Sequence, residues 1–222
     1  MEFFTLPATM RWILITSLTM LLMMAAYRYG LGTLLLPGGA GGEIMLTGIL
    51  ADAGVAGLLG LVACIFSWFP RWHPYRMRAG TRLFVWWFTA FAAMVICLYV
   101  TDLYWVKSYG QRLTGSHWLQ RKTGGTGGRG DFPVLALVGG GLVMAVLWWY
   151  LVKWLHDVLG SLGRPGQPFI RSFWNVAVCL FFLGALFFSA RTSISIKKDD
   201  LSIQRSAAVA LSANPVFTFF FR

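Results

Sequence analysis

Long apolar runs alternate along this chain with short polar segments that are rich in cations. Apolar runs of about twenty residues match the length of helix that crosses the hydrocarbon core of a membrane, whereas the short alternating strands of a membrane β-barrel are absent from the sequence. We therefore predict an all-α polytopic membrane protein with a polar tail over 191–222. The predicted transmembrane helices lie at about 7–27, 44–69, 83–106, 132–155 and 169–190.

Composition supports a membrane protein over a soluble one. Of the 222 residues, 57% are hydrophobic and 12% are charged, while soluble domains carry about 25% charged residues. The net charge is +11, and because most cations flank apolar runs, anionic lipid headgroups are the expected partner and nucleic acid is not. The three cysteines all fall in apolar runs without metal-binding spacing, which predicts buried, inert thiols.

The distribution of cations bears on orientation. Four arginines crowd into the segment 70–82 between two apolar runs, and such density is typical of the cytoplasmic side. We expect a bacterial cytoplasmic (inner) membrane protein with a cytoplasmic N-terminus and, after five spans, an extracytoplasmic C-terminus. The total count of cations opposes this orientation, but those on the other side lie in longer segments, where the rule is weak.

Two polar residues fall inside predicted spans. Asp52 stands in the second run, where Ala53 and Gly57 are four residues apart, a spacing that lets a neighbouring helix approach closely. We predict that Asp52 is buried against another helix or near a water-filled surface, because a carboxylate facing lipid is costly. Asn175, in the fifth run, is interpreted as an interhelical hydrogen-bond donor.

The far end of the first run carries a cation between two aromatic residues. Arg28 lies between Tyr27 and Tyr29. Tyrosine and arginine at the end of a span are typical of an anchor at the membrane–water interface. We predict that Arg28 has this interfacial role.

The stretch 101–113, TDLYWVKSYGQRL, is the most informative part of the chain, because it concentrates polar chemistry where the third run meets water. An aromatic belt with snorkelling cations would explain its tyrosines and cations. An acid at the hydrocarbon edge, however, needs a partner or water. The candidate residues for binding a lipid headgroup or docking a domain are Asp102, Tyr104, Tyr109 and Arg112.

Three motifs resemble the N-terminal membrane domain of the lipoteichoic acid synthases and phosphoglycerol or phosphoethanolamine transferases, sulfatase-like enzymes of the alkaline phosphatase superfamily. The segment 48–52, GILAD, is similar to the family's Gly-Leu-Arg-x-Asp, although it lacks the arginine. The stretch 101–113 is similar to Ala-Asp-x-x-Tyr-Phe-x-x-Tyr-Gly-x-Arg, and 212–220, SANPVFTFF, is similar to the segment that leads to the catalytic domain. The second motif is matched by Asp102, Tyr109, Gly110 and Arg112.

The resemblance implies a division of labour. An extracytoplasmic sulfatase-like domain would carry a threonine or serine nucleophile activated by a divalent metal, and would pass a phospho-headgroup from a membrane lipid to a cell-envelope glycan or lipid. The eight acids and three histidines of this chain form no cluster readable from sequence, so we assign it no catalytic residue, metal or cofactor. Its expected role is to anchor the enzyme and present the lipid.

An alternative is a small, non-catalytic membrane subunit or assembly partner of a larger complex. A transporter ranks lowest, because five helices without an internal repeat suit that function poorly. The tail ends in an aromatic run at Arg222, and we expect a longer chain to continue beyond it if the transferase interpretation holds.

Overall fold

The computed structural model describes residues 6–35, 42–109, 134–161 and 168–196. Within these residues all regular structure is helical, as predicted. The helices are α1 (Ala8–Leu35), α2 (Gly42–Trp68), α3 (Arg78–Tyr109), α4 (Val134–Ser161) and α5 (Pro168–Ile196), with a short 3-10 turn at Pro70–Trp72.

Four of these helices are long and apolar enough to cross a membrane, which indicates a membrane protein. Their candidate spans are Ala8–Gly32, Met45–Trp68, Arg78–Tyr104 and Gly139–Gly160. The described part of α5 contributes a shorter apolar stretch, Phe173–Ser189. Large apolar side chains cover the outside of the bundle, as lipid contact requires, and examples are Leu22, Leu46, Trp86, Leu147, Phe181 and Phe187.

The helices form two closely packed pairs that α1 joins. α2 packs mainly against α5, α3 packs mainly against α4, and α1 contacts α2 and α4. α2 and α3 touch each other little. The starts of α1 and α3 lie at one end of the bundle with the end of α4, as the contacts of Trp12 with Phe84 and Val152 show. The start of α2 lies toward the other end with the end of α5, where Ser189 bonds to Ala51.

Glycines bring α2 and α5 close together. A methyl group placed on Gly57 would lie 3.2 Å from both the Phe182 carbonyl oxygen and the Ala185 Cβ. One placed on Gly60 would overlap the Phe182 ring. The small-residue face predicted around Gly57 is thus the surface on which α5 packs, because only hydrogen at these positions leaves room for its backbone.

An aromatic cluster around Trp12 packs three helices together at one end of the bundle. Its indole is stacked on Phe84 at 5.7 Å between ring centroids and lies edge-on to His156 at 4.9 Å. Its Nε1–H donates to the carbonyl oxygen of Val152, 3.1 Å away. Trp12 is fully buried and joins α1 to α3 and α4. We refer to this end of the bundle as the aromatic end.

The observed helices extend beyond the apolar runs that predicted them. α3 begins at Arg78, five residues before the predicted start at 83, because a helix continues through polar residues once its backbone hydrogen bonds are in place, and hydropathy marks only its apolar part. α5 continues to Ile196, into the predicted tail. The prediction of three buried thiols was wrong for one, since Cys64 and Cys179 are buried but Cys97 is exposed.

Candidate functional site

A buried ion pair joins α1 to α2. Arg28 Nε donates to Asp52 Oδ2 at 2.9 Å, and Arg28 Nη2 donates to Asp52 Oδ1 at 2.6 Å. The two side chains are 1% and 0% exposed. Such two-point pairing of a planar guanidinium with a carboxylate is the strongest geometry available to these groups, and it satisfies both charges in a place where neither reaches water.

Two tyrosines extend the pair to α3. The Tyr99 hydroxyl donates to Asp52 Oδ1 at 2.8 Å, and the Tyr27 hydroxyl donates to Asp102 Oδ2 at 3.2 Å. The two tyrosine rings meet edge to face at 4.5 Å between centroids. We refer to these five residues as the buried network. It fills the space between α2 and α3, which otherwise have little contact, and it defines the network end of the bundle.

A glycine makes room for the arginine. Gly48 lies one helical turn before Asp52, so the two residues share a face of α2. A methyl group on Gly48 would overlap the Arg28 guanidinium. The segment 48–52, singled out in the sequence, therefore positions a charge pair: its glycine admits the guanidinium that its aspartate binds. The arginine beside Asp52 comes from α1, not from within the motif.

α5 is tied to the same place. The Ser189 hydroxyl donates to the carbonyl oxygen of Ala51 at 3.1 Å, and Ser189 is fully buried. Since Ala51 is next to Asp52, hydrogen bonds from α1, α3 and α5 all converge on one turn of α2. The network end therefore links four of the described helices.

The network lies within the apolar helices. Arg28 and Asp52 fall inside the candidate spans Ala8–Gly32 and Met45–Trp68, and Asp102 falls inside Arg78–Tyr104. A charge inside a span is costly unless it is paired. The arrangement therefore holds α1, α2 and α3 together.

The candidate residues from the sequence fall into two groups. Asp52 is buried against another helix, as predicted, and Asp102 is buried with Tyr27 as a partner. Tyr104 is half-buried on α3. Tyr109 is the last residue of α3, but its side chain and the whole of Arg112 lie outside the described residues, so the roles predicted for these two residues stay predictions.

Asn175 also stays a prediction. It is half-buried on α5, and the described part of the chain offers its amide no hydrogen-bond partner.

The described residues include no group of three His, Cys, Asp or Glu side chains with geometry suitable for a metal ion.

The interfacial role predicted for Arg28 was wrong. Its side chain points into the bundle, while the neighbouring Tyr29 is 68% exposed. A signal was present in the sequence: Arg28 is the only cation between Arg11 and Arg71, and an isolated charge within apolar helices requires a partner. Tyr99 carried no such signal, because a tyrosine near the end of a span is common.

Removing one hydroxyl tests the link between α1 and α3. We expect Tyr27→Phe to lower the free energy of unfolding by about 1.5 kcal/mol, because the Asp102 carboxylate loses a hydrogen bond and a bond to a charged group contributes about that much. Tyr29→Phe is the matched control, with an expected change below about 0.5 kcal/mol at its exposed position. Unfolding by SDS titration in mixed micelles, followed by circular dichroism, measures both, and equal losses would contradict the link.

A second polar group lies at the aromatic end. Tyr75 is stacked on the His156 ring, with centroids 4.4 Å apart, and its hydroxyl donates to the His156 carbonyl oxygen at 3.1 Å. Burial raises the pKa of the Tyr75 hydroxyl above its ordinary value, and the nearby Asp157 carboxylate adds to the rise while Arg11 opposes it. Tyr75 is thus a neutral hydrogen-bond donor that fixes the loop after α2 to the end of α4.

Comparison with known proteins leaves the family resemblance as a hypothesis. No protein-family model, curated protein or solved structure matches the chain.

Proposed function

We propose that this chain is the membrane domain of a sulfatase-like phospho-headgroup transferase, and that its network end presents a lipid headgroup to the catalytic domain. The observation that carries the proposal is the buried network, in which the bond from Tyr27 to Asp102 fixes α3 at the start of the stretch 101–113. The proposed topology has five spans in a bacterial cytoplasmic membrane, with an extracytoplasmic C-terminus.

Burial assigns different roles to the residues of that stretch. Asp102 is 1% exposed and bonded to Tyr27, so it positions α3 and does not meet a headgroup. Tyr104 is only half-buried, so part of its side chain is accessible. In the proposed site Tyr104, Tyr109 and Arg112 meet the lipid, and Arg112 binds its phosphate through two parallel N–H donors.

The chemistry of transfer belongs to the proposed catalytic domain. A divalent metal there would lower the pKa of the nucleophile and neutralise the phosphoryl oxygens. The residues of this chain would hold and orient the lipid, which raises the local concentration of the donor at the reacting group. The acceptor would be a cell-envelope glycan or lipid.

The test uses the protein as purified from its native membrane. Transfer of a labelled headgroup from phosphatidylglycerol or phosphatidylethanolamine is measured for the wild type, for Arg112→Ala and for Arg121→Ala, a matched control in the same segment outside the motif. We expect Arg112→Ala to lower transfer at least about tenfold, since a hydrogen bond to a charged group is worth about 1.5–3 kcal/mol, while membrane insertion is unchanged.

Two results would contradict the proposal in different ways. Unchanged transfer in Arg112→Ala would remove the headgroup role of that residue. An intact mass near the 24.8 kDa of this chain, together with no transfer from either lipid, would reject the transferase and favour a non-catalytic membrane subunit.

A further inference from the structure

The connection between α2 and α3, residues 69–77, is a folded element. Backbone hydrogen bonds run from Trp72 N to the Phe69 oxygen at 3.0 Å and from Met77 N to the His73 oxygen at 3.1 Å. The Trp72 ring packs on Phe66 and Phe69 at 5.3 and 5.2 Å between centroids. These contacts give the connection a defined inner and outer face.

The inner face is fixed to the bundle. His73 is buried and its Nδ1 accepts the Tyr75 backbone N–H at 3.3 Å, so Nε2 carries the proton and donates to Thr9 Oγ1 at 3.3 Å. The first turns of α3 press on the connection so closely that a methyl group on Gly80 would lie 2.6 Å from the Trp72 carbonyl oxygen. Contacts with α1 and α3 therefore hold the connection in place.

Four exposed arginines, which we name the arginine platform, lie on the connection and the first turns of α3: Arg71, Arg76, Arg78 and Arg82. Within the described residues no carboxylate pairs with any of them. The sequence contains no acid between Asp52 and Asp102, so neither adjoining helix supplies a local counter-charge. The platform presents a concentrated positive charge.

This concentration of charge opposes the stability of α3. Arg78 is the first residue of the helix and no acid lies in its first turn, although the N-terminus of a helix favours negative charge. Arg78 and Arg82 are four residues apart, where like charges destabilise a helix. An anion bound at the platform would relieve both effects, because it would neutralise the arginines.

We propose that the arginine platform binds the phosphate groups of anionic phospholipids. The platform joins the ends of two candidate spans, at Trp68 and Arg78, which places it at the level of the headgroups. Exposed aromatic and apolar side chains surround it at Trp68, Phe69, Trp72 and Met77. Such side chains favour the boundary between headgroups and acyl chains. This site lies at the aromatic end, opposite the site of the proposed function, and does not depend on it.

The experiment asks whether anionic lipid associates with the platform arginines in preference to another exposed cation, Lys153. The full chain is reconstituted in phosphatidylcholine vesicles with spin-labelled phosphatidylglycerol or spin-labelled phosphatidylcholine, and the ratio of their association constants is measured. The test variants are Arg71→Gln with Arg76→Gln, and separately Arg78→Gln with Arg82→Gln. Lys153→Gln is the matched control, because Lys153 is exposed at the same end but lies over the Trp149 ring on α4.

We expect the wild type to prefer phosphatidylglycerol over phosphatidylcholine. The ratio of the two association constants should fall at least about fivefold in each platform variant, since one cation contributes about that factor at an anionic surface. The double variant Arg71→Lys with Arg76→Lys should keep most of the preference for phosphatidylglycerol, because it keeps both charges. It therefore distinguishes a loss of charge from a loss of folding. Inorganic phosphate at millimolar concentration should not compete, since the proposed ligand is a lipid.

The proposal is overturned if the wild type shows no preference, if Lys153→Gln loses as much as the platform variants, or if free phosphate abolishes the preference. Loss of preference in the lysine variants with unchanged helix content would also contradict a site that acts through charge.

Discussion

Replacing Asp52 with asparagine is expected to lower the free energy of unfolding by about 3–5 kcal/mol. Asparagine keeps the shape of the side chain, but it removes the carboxylate that accepts two hydrogen bonds from the buried Arg28 guanidinium, which is 1% exposed. Breaking a buried pair on one side costs about that much, because the remaining charge keeps its full desolvation penalty. The measurement is unfolding by SDS titration in mixed micelles, with circular dichroism as the signal.

Asp157→Asn is the matched control for this experiment. Asp157 is also an acid paired with a basic side chain, His156, at 3.1 Å, but it is 65% exposed. An exposed pair contributes about 0–1 kcal/mol, so we expect a loss in that range. If both variants lose the same amount, the buried network does not hold the helices together.

A double variant separates the charge from the packing. Arg28→Met combined with Asp52→Leu removes both charges and keeps apolar volume, and replacement of a buried pair in this way is often neutral or stabilising. We expect the double variant to recover most of the stability that Asp52→Asn loses. If it is as unstable as Asp52→Asn, then the shape of the network, and not the balance of its charges, maintains the bundle.

Gly57→Leu should lower the free energy of unfolding by about 3 kcal/mol. A methyl group at this position would already lie 3.2 Å from the Phe182 carbonyl oxygen, which is backbone and can move only if the whole of α5 moves. Overfilling a close-packed contact costs about 1–3 kcal/mol, and the upper value applies where the neighbour is rigid. The α2–α5 pair would separate along its most closely packed stretch.

Gly184→Leu provides the comparison for Gly57→Leu. Gly184 lies on α5 near the same contact, but nothing stands within 4 Å of a methyl group placed on it. Leucine is also a better helix former than glycine by about 0.8 kcal/mol, so we expect no loss of stability. A loss in Gly184→Leu equal to that in Gly57→Leu would mean that the glycines act through backbone flexibility and not through close packing.

The sequence predicted which segments are helical but not how the helices are rotated. Asp52 was expected to be buried because lipid rejects a carboxylate, and it is. The apolar pattern does not indicate its partner, because α1 and α2 are apolar on all sides and no stripe shows which face is inward. Only the isolation of Arg28 among apolar residues pointed to it. Arg28 and Tyr29 are adjacent and were given one interfacial role, yet one is buried and the other exposed.

The ends of the helices were the other weak point. Hydropathy detected the apolar part of α3 but not its first turn, because Arg78 and Arg82 have the composition of a loop. What keeps them helical is tertiary: the Thr81 hydroxyl donates to the carbonyl oxygen of Pro74, and Gly80 packs under the connection. Contacts of this kind depend on the path of the chain and leave no pattern in composition.

The pairing of Arg28 with Asp52 bears on how the chain enters the membrane. The two residues are only 24 positions apart, on consecutive helices, whereas Trp12 bonds to Val152, 140 positions away. A charge at the centre of a span opposes insertion by about 2.5–3.5 kcal/mol, and Arg28 and Asp52, which lie away from the centres of their spans, each oppose it by less. We expect a hairpin of α1 and α2 that inserts as one unit to reduce both penalties through the ion pair, whereas α1 gains its contacts with α4 only after α4 is made.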